Sequence, residues 1–282
     1  MTSPTPPPSL PAPGPDKRGA VPVKPYYEQD GITIYHGDCR EVLAFLPSAS
    51  VAATVTSPPY NTLGSRMPAK GTGCKGRAIQ GWLDSVAKDG YADDMSEEEY
   101  GDWQSSVAAA IATVTRPGGS FFYNHKIRYR DGVLIHPLDL VRRFVGWMFR
   151  QEVIWERPGS FAFNARLFAP NDERIYWLVR EGADFVWNQV AASWLSVWRM
   201  IPPAEIQGHP CPFPKDLPAR CITATTNPGD TVLDPFVGSG QTLIEAKLLG
   251  RRGIGIDRRE DYCELAANRL AQGVLFGVEG AA

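Results

Sequence analysis

The 282-residue chain is 43% hydrophobic and 21% charged, with a net charge of −2, a composition that suits one large domain or a domain with a smaller companion. No apolar run reads as a membrane span or a signal peptide, and a near-neutral chain does not coat polyanions with its whole surface, so any nucleic-acid contact has to come from a local basic patch. Cys39, Cys74, Cys211, Cys221 and Cys263 are irregularly spaced, with no CxxC pair and no Cys/His grouping, which argues against a zinc site and suits reduced thiols in the cytoplasm.

Residues 1–26 are read as a disordered tail, because nine of the first 25 residues are proline and no continuous apolar core follows. ITIY (32–35) then reads as a strand, CREVLAFL as a short helix and VAATV (51–55) as the next strand. TSPPYN (56–61) leaves that strand. Its two prolines remove two backbone donors and fix two φ angles, so it is a rigid loop, and the C-terminal edge of a strand is where open α/β sheets hold ligands.

The stretch 62–82 carries Arg66, Lys70, Lys75 and Arg77, five glycines and no acid, a composition suited to a mobile loop closing over phosphates. A helix is expected over 96–114, opened by a Ser96/Glu99 capping box. RPGG (116–119) is expected to stop it, and SFFYN (120–124) to form a strand. HPLDLVRRFVGWM reads as one helix, QEVIW (151–155) and RIYWLV (174–179) as strands.

Residues 157–208 break the pattern, with Phe161, Phe163, Phe168, Trp187, Trp194 and Trp198 set among Asn, Arg and Gly, as an inserted recognition element would. TVLDPF (231–236), a helix over 241–249, GIGID (253–257) and a helix over 260–270 close the chain. Such alternation predicts an α/β fold with a mostly parallel sheet covered by helices on both faces.

VLDPFVGSGQT is a strand leading through a glycine turn into a helix. Gly238 and Gly240 permit close approach of a ligand to the backbone, and Asp257 ends the next strand 19 residues after Gly238. An acid so placed can accept from both hydroxyls of a ribose, which implies an adenosine-containing cofactor. A dinucleotide fingerprint wants a third glycine where Leu243 stands, and Asp234 puts a carboxylate beside the turn, which suits the cationic S-adenosylmethionine better than a bare phosphate.

TSPPY together with LDPFVGSG resembles the amino-methyltransferases of DNA, which methylate exocyclic amines of cytosine or adenine. GDCREVLAFLP, HPCPFPKDLPARCI (209–222) and GIGIDRREDYCELAANRL are similar to further stretches of that family. The motif order resembles the beta class, and so implies a circularly permuted, Rossmann-like methyltransferase fold in which the last helix and the first strand are neighbours. The halves are then 27–156, catalytic with a basic loop over 62–95, and 209–275, cofactor-binding, with target recognition over 157–208.

Amine methylation requires the nitrogen lone pair, delocalised into the base, to localise, which two acceptors for its N–H bonds favour. The Ser57 side-chain oxygen and the Pro58 carbonyl suit that task, with Pro59 stiffening the loop. A base inside a duplex must first be flipped out, and Tyr60 can stack on it, recovering roughly 1–3 kcal/mol. The resemblance further implies Asp38 and Cys39 near the cofactor's adenine, Phe236 near its methionine or adenine part, and Phe213 and Pro214 closing the methionine pocket; no metal is required.

Ser at the head of SPPY favours cytosine N4, with adenine N6 as the alternative. Methylation of a protein glutamine and a non-enzymatic DNA-binding module are the remaining readings. Double-stranded DNA is the expected partner, and the resemblance admits a homodimer and a cognate restriction endonuclease.

Overall fold

Asp30 and Gly31 take φ values of 52° and 77°, the pair of left-handed residues that a two-residue hairpin needs. In this computed structural model, which describes residues 24–62, 95–130, 132–158, 168, 170–201 and 214–276, they join β1 (Tyr27–Gln29) to β2 (Ile32–His36). The sequence reading has no β1, although Asp-Gly between apolar runs is a hairpin signal. A short helix α1 (Cys39–Leu43), capped by Asp38, leads to β3 (Val51–Thr56).

Helix α2 (Glu97–Val114) opens with the expected capping box, in which the Ser96 hydroxyl accepts from Glu99 N and the Glu99 carboxylate from Ser96 N. It ends at Val114, as expected, and gives way directly to β4 (Thr115–His125), so RPGG lies within the strand rather than before it. Gly118, at φ 73°, makes the irregularity possible, because a Cβ there would stand 2.1 Å from the Asp184 carbonyl oxygen.

The hairpin β5 (Arg128–Arg130) and β6 (Val133–Ile135) follows, then the one-turn α3 (Leu138–Val141) and β7 (Trp147–Glu156). The single helix expected across HPLDLVRRFVGWM is therefore corrected. Gly146, at φ 82°, turns the chain after Phe144 has entered the core, and Trp147 and Met148 already belong to β7.

After β8 (Asp172–Arg180) and a 3₁₀ turn at Gln189–Ala191, β9 (Val197–Arg199) adds an edge strand from within 157–208. There Trp187 stacks on Trp177 at 5.2 Å, and the Arg220 guanidinium lies 5.6 Å and 5.3 Å from the Trp194 and Trp198 rings. The chain ends with α4 (Asp216–Thr225), β10 (Thr231–Asp234), α5 (Gln241–Leu248), β11 (Arg252–Asp257) and α6 (Glu260–Phe276). No helix among the described residues is long and apolar enough to cross a membrane.

Among the described residues, nine strands form one sheet in the order β1-β2-β11-β10-β3-β4-β8-β7-β9, parallel from β2 through β4 and antiparallel at β1 and around β8. The last two strands of the chain thus sit between its second and third, which is a circular permutation visible in the strand order. α6 closes it by packing Cys263, Ala266 and Leu270 on Ile32 and Ile34.

Strand alternation sends Phe121, Tyr123, Tyr176 and Leu178 toward α1 and α2, and Phe122, Ile175, Trp177 and Val179 toward α4. Both faces are covered. Each fully buried Ile, Leu or Phe contributes about 1.5–3 kcal/mol, so the strands read as near-continuous apolar runs.

Candidate active site

The parallel strands β2, β11, β10, β3 and β4 end at His36, Asp257, Asp234, Thr56 and His125, and the antiparallel β8 begins at the same edge. From β10 the chain runs through α5 to β11 on one side, and from β3 through α2 to β4 on the other. The gap between β10 and β3 is therefore the topological switch point, where open sheets of this kind hold ligands.

On the β10 side, Asp234 is buried and accepts from the Thr56 hydroxyl at 2.6 Å and from Phe236 N at 3.1 Å. Asp257 accepts from Gly238 N and Arg259 N, both at 3.0 Å. Burial pushes each carboxyl up to about 6, against these hydrogen bonds. Gly240 lies at φ 79°, and a Cβ there would meet that of Ala266 at 2.9 Å. The close packing of α6 on the start of α5 therefore requires glycine at 240, and two carboxylates accept from backbone N–H groups of the turn.

Phe236 meets Trp103 edge to face at 5.7 Å. Asp38 accepts from Arg40 N at 2.9 Å and pairs with the Arg40 guanidinium, which holds its carboxyl below the usual range. Cys39 is buried in the core beside it, and desolvation pushes its thiol up to about 12, so it is an inert thiol. Pro214 is buried. Phe213, Arg66, Lys70, Lys75 and Arg77 lie outside the described residues.

Across the switch point stands the loop Ser57–Tyr60. The Pro59 carbonyl accepts from the Tyr100 hydroxyl at 2.6 Å, while no described residue donates to the Pro58 carbonyl. His125 Nδ1 donates to the Lys126 carbonyl at 2.8 Å, leaving Nε2 against the Tyr100 oxygen at 2.8 Å. Burial, with Arg128 and Lys126 nearby, brings the His125 imidazole down to about 3. It is neutral, and the one Tyr100 proton lies between two described acceptors, the Pro59 carbonyl and His125 Nε2.

The Tyr60 ring lies against that of His125, tilted by 31° with centroids 4.5 Å apart. Its hydroxyl donates to Glu173 Oε2 at 2.9 Å, accepts from Asn124 Nδ2 at 2.7 Å and lies 2.5 Å from Ser57 Oγ. Beyond the loop, Arg128 forms two 2.7 Å bonds to Glu97, and Asn61, at φ 55°, donates to the Met95 carbonyl at 2.9 Å.

Tyr100, Asn124, His125, Arg128 and Glu173 were not singled out by sequence reasoning. Only Glu173 left a signal, as an acid in phase with the buried Ile175, Trp177 and Val179.

The DNA methylase family model matches residues 51–268. The type II methyltransferase M.ScaI of Streptomyces caespitosus is 28% identical over 88% of this chain and 84% of its own length. M2.LlaDCHI of Lactococcus lactis subsp. cremoris is 26% identical over 92% and 97%. Among solved structures, the cytosine-N4-specific PvuII DNA methyltransferase superposes with a TM-score of 0.69 over 92% of this chain and 96% of its own, and at 20% identity it bears on the fold alone. Thermus thermophilus TTHA0409, in complex with S-adenosyl-L-methionine, does so with a TM-score of 0.60 and 27% identity over 88% and 95%. With its family model spanning most of the chain and both halves of the switch point, this protein belongs to the N6/N4 family of DNA methylases and is a DNA methyltransferase.

Proposed function

We propose that the protein transfers a methyl group from S-adenosylmethionine to the N4 amine of a cytosine flipped out of duplex DNA. The observation that carries this reading is the Ser57 oxygen followed by the Pro58 carbonyl, to which no described residue donates, on a rigid loop across the switch point from the glycine turn. Two fixed acceptors of this kind favour a localised amine lone pair.

S-adenosylmethionine supplies an activated methyl on a sulfonium. The chain's own contribution is to hold it: Gly238 and Gly240 let the backbone approach, Asp257 and Asp234 supply negative charge, and Asp38, Cys39, Phe236, Phe213 and Pro214 are assigned to its adenine and methionine ends. Tyr60 is assigned to the flipped base. Arg66, Lys70, Lys75 and Arg77 are assigned to DNA phosphates, and 157–208 to base reading.

A pH dependence follows. The two buried carboxyls stand above their unfolded values, so their ionisation opposes folding: the stability they contribute is present below about pH 4 and is lost as pH rises through about 6. A cationic ligand offsets that cost only when they are ionised. The rise in Tm produced by saturating S-adenosylmethionine therefore grows from pH 5 to pH 7.5, and its Kd falls several-fold; a flat profile in both would remove these carboxylates from the cofactor site.

The function itself is tested by incubating the protein with unmethylated DNA and S-adenosylmethionine, digesting to nucleosides and identifying the product by mass spectrometry. N4-methylcytosine is expected. N6-methyladenine would overturn the base assignment but keep the site, and no methylated nucleoside would overturn the reading.

A further inference from the structure

Ser57 is a weaker acceptor than a carboxylate, and its hydroxyl can as easily donate. Which way it points is decided by its neighbours. Asn124 Nδ2 has two protons, placed 2.7 Å from the Tyr60 oxygen and 2.8 Å from Glu173 Oε2, with Ser57 Oγ at a marginal 3.5 Å. The reverse amide orientation would set its oxygen against the Glu173 carboxylate. Arg157 Nη1 lies 3.1 Å from Glu173 Oε1, and the Glu173 side chain is only 8% exposed.

An ionised carboxylate only accepts, so the single Tyr60 proton is drawn to Glu173 Oε2 at 2.9 Å. The Tyr60 oxygen must then receive the Ser57 proton across their 2.5 Å contact. The contacts among the described residues fit the arrangement with Ser57 O–H toward Tyr60, Tyr60 O–H toward Glu173, and the Ser57 lone pairs turned outward.

We propose that Glu173, acting through Tyr60, is a positioning residue that commits the Ser57 proton away from the target and leaves the Ser57 oxygen as a pure acceptor for an N–H of the substrate amine. This rests on the amine-methylation reading above. It gives the neutral Ser57 the hydrogen-bonding behaviour of a carboxylate by borrowing polarity from an acid on β8, more than a hundred residues along the chain.

Glu173→Gln is the informative change because it preserves volume and reverses the chain. Arg157 demands an acceptor, so the Gln oxygen takes the Oε1 place, and the Gln amide nitrogen faces Tyr60 and Asn124 Nδ2, which keeps its other proton on the Tyr60 oxygen. Tyr60 then donates to Ser57, and the Ser57 proton turns toward an amine that also donates. Donor meets donor.

The test compares Glu173→Gln, Tyr60→Phe and the double variant in single-turnover methyl transfer to DNA, with affinities for DNA and S-adenosylmethionine measured separately. Glu173→Gln is expected to slow transfer at least tenfold with both affinities within about threefold, and the double variant to be no slower than Tyr60→Phe, since the path runs through the Tyr60 hydroxyl. A rate for Glu173→Gln within threefold of the parent overturns the proposal, as does a double variant whose loss is the product of the two single losses. Should Glu173→Gln fold poorly, the comparison passes to Tyr60→Phe alone, whose rate within threefold of the parent overturns it equally. The parent protein's methylated nucleoside is read in the same assay, so failure of the amine-methylation reading and failure of the Glu173 path give different results.

Discussion

Ser57→Ala lowers the single-turnover rate of methyl transfer by roughly 10²–10³-fold, the cost of removing one preorganised group that stabilises developing charge, while the affinity for S-adenosylmethionine stays within about twofold. Ser57 is half-buried, follows directly on β3 and precedes the buried Pro58. Its hydroxyl is not part of a hydrophobic cluster, and the change removes one oxygen from a loop whose path is set by Pro58, Pro59 and the Tyr100 bond to the Pro59 carbonyl. Stability should therefore move by about 1 kcal/mol or less, the net worth of one hydrogen bond. Rapid-quench methylation beside a urea titration separates the two quantities. A variant with normal transfer but a lowered urea midpoint would make Ser57 a turn-stabilising hydroxyl and nothing more.

Glu97→Ala costs about 3–5 kcal/mol of folding free energy, the penalty for stranding a buried charge. The Arg128 side chain is 1% exposed, whereas that of Glu97 is 28% exposed. Arg128 also lies 5.0 Å from the Tyr100 ring centre, and its Nε has no partner among the described residues. Among the described residues, removing Glu97 leaves the guanidinium in the core with the Asn61 carbonyl, 3.3 Å from Nη1, as its one hydrogen-bond acceptor, beside the Tyr100 ring.

The reverse change is milder. Arg128→Met takes the charge out of the core and leaves Glu97 partly in water, so it costs less than Glu97→Ala. Both are read from urea unfolding midpoints, and an order opposite to this one would mean that the pair does not act as a buried clamp.

The clamp also bears on the Ser57–Tyr60 loop, because Asn61 and Met95 are joined beside it. Thus Glu97→Ala should lower methyl transfer more than it weakens S-adenosylmethionine binding.

Much of this protein is legible in its sequence. The TSPPY loop, the glycine turn, Asp234 and Asp257 all follow from local rules: proline fixes φ, glycine permits left-handed backbone, and an acid ending a strand stands at the sheet edge. The capping box at Ser96 and Glu99 is likewise a matter of residues three apart. Elements were misread where tertiary packing overrode local pattern. HPLDLVRRFVGWM has helical spacing, yet Phe144 and Trp147 are drawn into the core from opposite sides of a turn at Gly146, which breaks the helix after one turn. RPGG has the residues of a stop signal, but β3 pairs with Thr115 and then, after a shift, with Ser120, and so draws the stretch into β4.

By itself, then, the sequence determined the α/β class, the motif order and the two loops that face each other, because each depends on residues within one strand and the turn that follows it. Only the tertiary structure decided what those loops touch. Glu173 reaches Tyr60 across 113 residues, and Thr56 reaches Asp234 across 178. Such partners are chosen by strand order and register in a permuted sheet, which no local spacing encodes, and at Ser57 they decide which way a single hydroxyl proton points.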